Sequence, residues 1–441
     1  MASLSGITNF HKVPELRRRV IFTMVMLAVY RVGAFVTTPG VDRNAMHQYV
    51  AKQSGSLLGF FNMFSGGALE RLSIFALGIM PYISASIILQ LGGMIYKPID
   101  ELRREGEQGR RRIDQYTRYG TVAISIFQSF FLAQHLQGIS STEGGAGVVN
   151  HPGLGFVLLT ILTLTTGTAF LMWVGEQITE RGIGNGISLL IFASIITGIP
   201  SGVGTYMQQN QGDIQPLTLA TIVAMVVGLI ALIAFFENGQ RQIPIVYSRR
   251  QVGRRVYGGQ TAHLPLKVNT SGTIPPIFAS SLLMFPATLA QYNVPGFDLL
   301  QGVINRGDWV FNTGYALLIV FFCFFYTNIQ FQPVEVAENL KKQQANIPGV
   351  RPGKQTADYI YRVLQRITFG GALYVAAVCV LPSIIGDWMR VPFRFGGTSL
   401  MIVVGVALDA VNQMEAHLIQ HSYAGLTGSG VGRIRGRRQE G

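Results

Sequence analysis

The feature that most constrains the fold is a series of long stretches without Asp, Glu, Lys or Arg. Eight of them reach 20 residues or more: 72–96, 119–142, 144–175, 182–212, 214–236, 268–297, 309–334 and 367–386. A helix needs about 20 residues to cross a hydrocarbon core about 30 Å thick. Two further stretches, 20–41 and 395–414, have the character of spans with one charge each, Arg31 and Asp409. The sequence therefore predicts an all-α polytopic membrane protein with ten transmembrane helices.

Composition excludes the soluble and disordered classes. Charged residues make up 13% of the chain and apolar residues 49%, whereas soluble domains average about 25% charged. An apolar content this high is also inconsistent with disorder. Two cysteines, Cys323 and Cys379, are too few for a disulfide framework or a four-ligand zinc site, and we expect both to be packing residues.

Lys and Arg fall unevenly on the two sides of the predicted membrane. The N-terminal segment, the loops after spans two, four, six and eight, and the C-terminal tail hold 28 of the 35, and the opposite side holds six. Because cytoplasmic loops carry an excess of Lys and Arg, both termini are predicted to be cytoplasmic, in an inner membrane. The net charge of +13 follows this topology, so it does not indicate nucleic-acid binding beyond a possible contact with ribosomal RNA.

An internal repeat divides the chain into two halves. A shift of 194 residues places span one on span six and aligns 81–89 (PYISASIIL) with 275–283 (PPIFASSLL), identical at five of nine positions. Five spans per half is an odd number, so the second half enters the membrane from the opposite side. The predicted organisation is a cytoplasmic segment 1–19, a first half 20–212, a second half 213–424 with cytoplasmic loops 237–267 and 335–366, and a basic tail 425–441.

A short apolar segment precedes the second span. Residues 57–64 (LLGFFNMF) are too few to cross a membrane and are followed by Ser65, Gly66 and Gly67. Backbone at membrane depth must be buried in protein or line a wet cavity, which predicts a re-entrant half-helix inside the molecule. The two glycines would let it swing. An external amphipathic loop is the alternative.

Motifs for catalysis and cofactor binding are missing from the sequence. It has no HExxH, GxSxG or GxxxxGK[ST] pattern, and 349–356 (GVRPGKQT) lacks the spacing of a phosphate loop. We therefore predict no enzymatic activity, cofactor or metal, and expect a partner to supply any energy. The 182–186 stretch (GIGNG) is predicted to end one helix near Glu180 and begin the next.

Isoleucines recur at helical spacing in three spans. Ile79, Ile83 and Ile87 are four residues apart, as are Ile187 and Ile191, and Ile83 aligns with Ile277 through the repeat. These side chains either face lipid and the protein core or form an apolar constriction that blocks water and ions by dewetting. The long basic loops, rich in Arg and Tyr, are predicted to dock a cytoplasmic partner.

Seven stretches together resemble the SecY family of bacterial protein-conducting channels. They are 62–69 (NMFSGGAL), 73–86 (SIFALGIMPYISAS), 105–119 (EGEQGRRRIDQYTRY), 175–188 (GEQITERGIGNGIS), 253–269 (GRRVYGGQTAHLPLKVN), 347–356 (IPGVRPGKQT) and 395–400 (FGGTSL). They touch nearly every span and cytoplasmic loop. Pro276 beside Pro275 and the Gly- and Arg-rich tail depart from the family pattern.

The resemblance implies an hourglass channel formed by the two inverted five-helix halves, with residues 57–72 as a plug on the extracytoplasmic side. Its functional residues would fall into four groups: a pore ring of Ile79, Ile83, Ile187, Ile191, Ile277 and Ile402; a plug with Leu57, Phe60, Phe61, Met63, Phe64, Gly66 and Gly67; a lateral gate with Ser84, Ile87, Gln90, Asn269 and Phe285; and docking residues Arg254, Arg255 and Arg351.

The implied function is passage of unfolded secretory proteins across the membrane and release of membrane segments into the lipid bilayer. The implied partners are SecE and SecG, the motor ATPase SecA or the ribosome, and signal sequences and nascent polypeptides. A small-solute secondary transporter shares the inverted repeat and is the alternative. A membrane insertase or scaffold without a continuous pore is a third reading.

Overall fold

The computed structural model describes residues 13–52, 62, 64–142, 148–209, 216–247, 250–252, 255–257, 261–291, 308–388 and 397–428. These ranges contain thirteen helices: α1 (Pro14–Gly33), α2 (Arg43–Lys52), α3 (Met80–Ile95), α4 (Lys97–Arg104), α5 (Glu107–Thr142), α6 (Leu154–Arg181), α7 (Gly186–Gln209), α8 (Pro216–Asn238), α9 (Ile274–Gln291), α10 (Asp308–Gln330), α11 (Pro333–Lys342), α12 (Lys354–Trp388) and α13 (Gly397–Gly428). They also contain five strands: β1 (Gln240–Tyr247), β2 (Arg250–Val252), β3 (Arg255–Tyr257), β4 (Thr261–Lys267) and β5 (Ala345–Asn346).

Ten of the helices overlap the ten predicted spans, in order α1, α3, α5, α6, α7, α8, α9, α10, α12 and α13. Four apolar helical stretches in the described residues are long enough to cross a membrane: Leu154–Arg181, Trp309–Lys342, Lys354–Pro382 and Gly397–Ile419. Three shorter ones are Gly186–Gly198, Val223–Asn238 and Ile274–Leu283. The membrane part is thus helical, and the number of spans stays a prediction.

Helix packing follows the predicted repeat. In the first half α1 packs on α6 and α7, α6 also packs on α3, α5 and α7, and α3 packs on α5. In the second half α8 packs on α12 and α13, α12 also packs on α9, α10 and α13, and α9 packs on α10. Each pair in one half has its counterpart in the other, and α3 and α9 begin 194 residues apart, at Met80 and Ile274. The halves meet where α3 contacts α9 and where α13 contacts α7 and α1.

The predicted second span, 72–96, begins too early. Its helix begins at Met80, and residues 65–79 form a run of turns that we name the turn segment. Gly78 at φ +57° ends this run, and Pro81 lies in the first turn of α3. Proline is favoured there because its fixed φ suits the helix and its missing N–H would have had no partner. The prediction failed because apolar character alone does not distinguish buried turns from helix.

Several other helices extend beyond the predicted spans. α5 begins at Glu107, well before the predicted start at 119, and α12 begins at Lys354 rather than at 367. Helical hydrogen bonding continues past the apolar stretch because charged residues are compatible with a helix in water. The prediction for 182–186 is confirmed: α6 ends at Arg181, the Gly182 N–H donates to Ile178 O at 2.8 Å, and α7 begins at Gly186.

The all-α prediction is wrong for the two loops that were predicted to be cytoplasmic. Strand β1 pairs antiparallel with β4 and with β5, so that loops 237–267 and 335–366 share one sheet. A separate apolar core holds this unit together: Ile243, Ile245, Leu266, Leu340, Ala345, Ile347 and Ile360 are buried. We name it the loop domain. It forms because Ile243 and Ile245 alternate with exposed residues, the period that places both on one face of a strand.

Candidate functional site

The six isoleucines predicted for a pore ring lie on four helices at the junction of the two halves. Ile79 and Ile83 lie at the start of α3, Ile187 and Ile191 on α7, Ile277 on α9 and Ile402 on α13. All six belong to one apolar cluster; five are buried, and Ile187 is half-buried at its edge. The structure thus places all six in one apolar region, where α3 contacts α9 and α7 contacts α13 across the junction.

Part of the predicted plug lies in the same cluster. Phe64, Ala68, Leu69 and Leu72 are buried, whereas Leu57, Phe60, Phe61 and Met63 lie outside the described residues. Gly66 and Gly67 have φ of +65° and +80°, a region that only glycine adopts readily. The described part of the predicted plug is therefore buried inside the protein, which excludes an external loop for these residues.

The turn segment fits closely against the first half. Phe75 stacks between Tyr30 and Phe170, with ring centroids 6.0 Å from each. On α6, a Cβ added at Gly167 would collide with the backbone oxygen of Ile74. A small residue at this position lets the two backbones approach, the usual device for close packing of membrane helices.

Two adjacent residues of α1 bind the backbone of the predicted plug. The Tyr30 hydroxyl lies 3.2 Å from Ser65 O and 2.6 Å from Ser194 Oγ on α7. Arg31 Nη1 donates to Gly66 O at 3.0 Å and to Thr197 Oγ1 at 3.4 Å. The single charge in span one is thereby paired with backbone and hydroxyl oxygens.

A second set of contacts involves Asn62 and Glu70 of the predicted plug. Asn62 Oδ1 accepts from the Glu70 backbone N–H at 3.0 Å, and Asn62 Nδ2 donates to Glu70 Oε2 at 3.2 Å. The other carboxylate oxygen of Glu70 lies 2.8 Å from His47 Nε2 on α2. Glu70 thus links the predicted plug to α2, whose Met46 and Val50 belong to the same apolar cluster.

The residues predicted for the lateral gate lie on or just before α3 and α9, which meet across the two halves. Ser84 and Ile87 on α3 are buried, and Gln90 is half-buried and donates to Ser86 Oγ at 3.0 Å. Across the junction Ser281 Oγ lies 4.0 Å from Met80 Sδ. For Phe285 the structure describes only the backbone, within α9.

Asn269 precedes α9 and is bonded within the second half. Its Nδ2 donates to Glu237 Oε1 at 2.5 Å and to Gly272 O at 3.1 Å, and its Oδ1 accepts from Ser271 Oγ at 3.1 Å. It therefore fixes the start of α9 to the end of α8.

The predicted docking residues belong to two loops that meet in the loop domain. Arg351 is exposed in the turn before α12. Arg255 lies on β3, where it pairs with Val252, and Arg254 lies outside the described residues. The two cysteines are buried and free, as predicted for packing residues.

Sequence reasoning missed the residues that bind Ser65 and Gly66 of the predicted plug. Tyr30 and Ser194 are 164 positions apart, and only tertiary packing brings them within hydrogen-bond distance. The signal available in the sequence was Arg31, an unpaired charge in an apolar span, because such a residue requires a partner inside the protein.

Comparison with known proteins agrees with this architecture. The profile of the SecY family matches residues 73–411. The protein translocase subunit SecY of Escherichia coli strain K12 is 48% identical over 415 residues, which cover 93% of each chain. Two solved structures share the fold: one described as showing that the plug domain of SecY stabilises the closed state of the translocation channel and maintains a membrane seal (TM-score 0.64, 16% identity), and Sec61 in a canine ribosome-channel complex (TM-score 0.60, 15% identity). Each alignment covers 97% of this chain and 99% of the other. On the family profile and the identity to a full-length relative, this chain belongs to the SecY family.

Proposed function

We propose that this chain is the channel subunit of a protein translocase in the cytoplasmic membrane, through which unfolded secretory proteins pass. The observation that carries the proposal is the junction of two similarly packed helix sets, where branched apolar side chains from four helices meet a buried plug. Membership of the SecY family supports the channel and gives no support to the small-solute transporter.

In this proposal ten helices span the membrane, both termini are cytoplasmic, and the plug lies on the extracytoplasmic side. Ile79, Ile83, Ile187, Ile191, Ile277 and Ile402 form the constriction. Their branched side chains offer no hydrogen bond to water or ions, so a closed ring excludes both, while it can part around side chains of any kind.

The lateral gate opens between α3 and α9, the direct helix contact between the halves on that side. Ser84, Ile87, Gln90 and Phe285 lie along these helices, and Asn269 fixes the start of α9. Separation there would expose a passing signal sequence or apolar segment to lipid.

The loop domain docks the partner that supplies the energy, either SecA or the ribosome, through Arg255, Arg351 and neighbouring Arg254. Sheet pairing and a shared apolar core give the two loops a fixed relative position. Guanidinium groups on a fixed frame suit electrostatic recognition of acidic protein or RNA. SecE and SecG complete the complex.

Reconstitution tests this function. The chain, purified with SecE and SecG, is placed in vesicles with SecA and ATP, and a secretory protein with its signal sequence is added. We expect protease-protected substrate inside the vesicles, and none when the signal sequence is removed or ATP is withheld. Saturable uptake of a small solute that needs neither SecA nor a ribosome, with no protected polypeptide, would contradict the proposal.

A further inference from the structure

We propose that Tyr30 and Arg31 form a latch that fixes the plug to the first half of the channel, so that plug release is a separate step from parting of the halves. The inference rests on the proposed function and assigns the residues that regulate its closed state.

The latch binds backbone oxygens. Tyr30 is 2% exposed, and its single hydroxyl hydrogen can be donated only once. The Ser194 hydroxyl also has Leu190 O at 2.8 Å as an acceptor. When Ser194 Oγ donates to Tyr30 Oη across 2.6 Å instead, Tyr30 is free to donate to Ser65 O at 3.2 Å. The hydroxyl chain Ser194–Tyr30–Ser65 therefore joins α7, α1 and the plug.

Arg31 makes the parallel connection one residue on. Its Nη1 joins Gly66 O on the plug to Thr197 Oγ1 on α7, and its guanidinium carbon lies 4.8 Å from the centre of the Phe35 ring, which helps to fix its orientation. Hydrogen bonds from a charged donor are stronger than neutral ones, and more so away from bulk water.

Gly66 allows the plug backbone to reach the latch. With φ at +65°, a Cβ there would lie 3.1 Å from Ser194 Cα and 3.2 Å from both Thr197 Oγ1 and the Tyr30 hydroxyl. A side chain at this position would push the plug away from α1 and α7 together.

The latch lies within one half. Tyr30 and Arg31 are on α1, Ser194 and Thr197 are on α7, and these helices pack on each other in the first half. Parting of α3 from α9, or of α13 from α7 and α1, separates the halves and leaves these four bonds unbroken. Plug displacement must break the two bonds that end on Ser65 O and Gly66 O, so it carries its own energetic barrier.

The test measures resting ion conductance of single channels in planar bilayers. Tyr30→Phe keeps the ring against Phe75 and removes only the hydroxyl; Arg31→Met keeps the aliphatic stem and removes the donors. From ordinary hydrogen-bond strengths we expect the fraction of time that the resting channel is open to rise roughly 2- to 10-fold in Tyr30→Phe. In Arg31→Met, which loses charged donors, we expect a rise of roughly 10- to 100-fold. Arg19→Met, which removes a charge elsewhere on α1, is the control and should leave conductance unchanged.

Deletion of residues 57–72 distinguishes a latch from a general packing role. If Tyr30 and Arg31 act through the plug, Tyr30→Phe and Arg31→Met add no conductance to the deletion. The latch would be overturned if both variants had the same resting conductance as the wild type. It would also be overturned if either substitution raised the conductance of the deletion variant further. SecA-driven translocation is measured in the same preparations: loss of it in the wild type would contradict the proposed function instead, and its retention in Tyr30→Phe shows that a conductance change does not come from misfolding.

Discussion

Substitution of Gly167 by alanine should unseat the turn segment, which contains the end of the predicted plug and leads into α3. Gly167 lies on α6, where an added Cβ would collide with the backbone oxygen of Ile74 and lie 3.3 Å from Phe75 Cδ1. Backbone cannot rotate away as a flexible side chain can, so either α6 or the turn segment must shift.

The size of the effect follows from overpacking. Extra methyl groups in a well-packed interior cost about 1–3 kcal/mol, which corresponds to roughly a 5- to 150-fold shift in an equilibrium between two states. The turn segment lacks the regular hydrogen bonding of α6, so we expect it to move and the strain to favour the unseated plug. Resting ion conductance should rise within that range, and the thermal midpoint of the purified complex should fall.

Gly228→Ala is the matched control. Gly228 lies within α8, and nothing lies within 4 Å of a Cβ added there. Alanine is preferred to glycine in a helix by about 1 kcal/mol, so this variant should be as stable as the wild type or more so, with unchanged conductance. If Gly167→Ala matched Gly228→Ala in both measurements, the close approach of α6 to the turn segment would not hold the plug.

Three further predictions concern other parts of the molecule. Ile360→Ala, at a fully buried position of the loop domain, should destabilise that domain by about 2–5 kcal/mol. It should weaken SecA binding and leave resting ion conductance unchanged. SecA binding equal to that of the wild type would show that the domain core does not position the docking residues. Arg351→Glu should weaken SecA or ribosome binding while Lys342→Glu, on α11, serves as a charge-matched control, so equal losses would argue against a specific role for Arg351. Asn269→Ala should lower stability by about 1–3 kcal/mol because the Glu237 carboxylate loses a buried donor, and thermal unfolding that equals the wild type would contradict that role.

The helices of the apolar stretches could be predicted because their cause is local. A stretch of about 20 apolar residues has few alternatives to a membrane helix, and each predicted stretch overlaps an observed helix. The repeat was also visible in the sequence, and the matching helix pairs of the two halves agree with it. Helix ends were predicted poorly, since the helices at Glu107 and Lys354 continue into charged sequence.

The loop domain and the plug contacts depend on residues far apart in the chain. Tyr247 on β1 pairs with Ala345, nearly one hundred positions later, and a two-residue strand leaves no periodic pattern to find. The isoleucines could be chosen by spacing and family resemblance, and the structure places them in one cluster; that they close a pore stays a prediction. For Arg31 the sequence indicated only that the charge needs a partner inside the protein, and not which residues provide it.

The most direct test of the channel is a photo-crosslinking residue at Ile191, with a secretory chain stalled during SecA-driven translocation. Leu162 on α6, which is 71% exposed on the outer surface of the protein, provides the lipid-facing control. We predict crosslinks to the stalled chain at Ile191 and none at Leu162, because in the proposed channel the polypeptide passes between α3, α7, α9 and α13. Crosslinks absent from Ile191 in a complex that still translocates would contradict a path through this constriction.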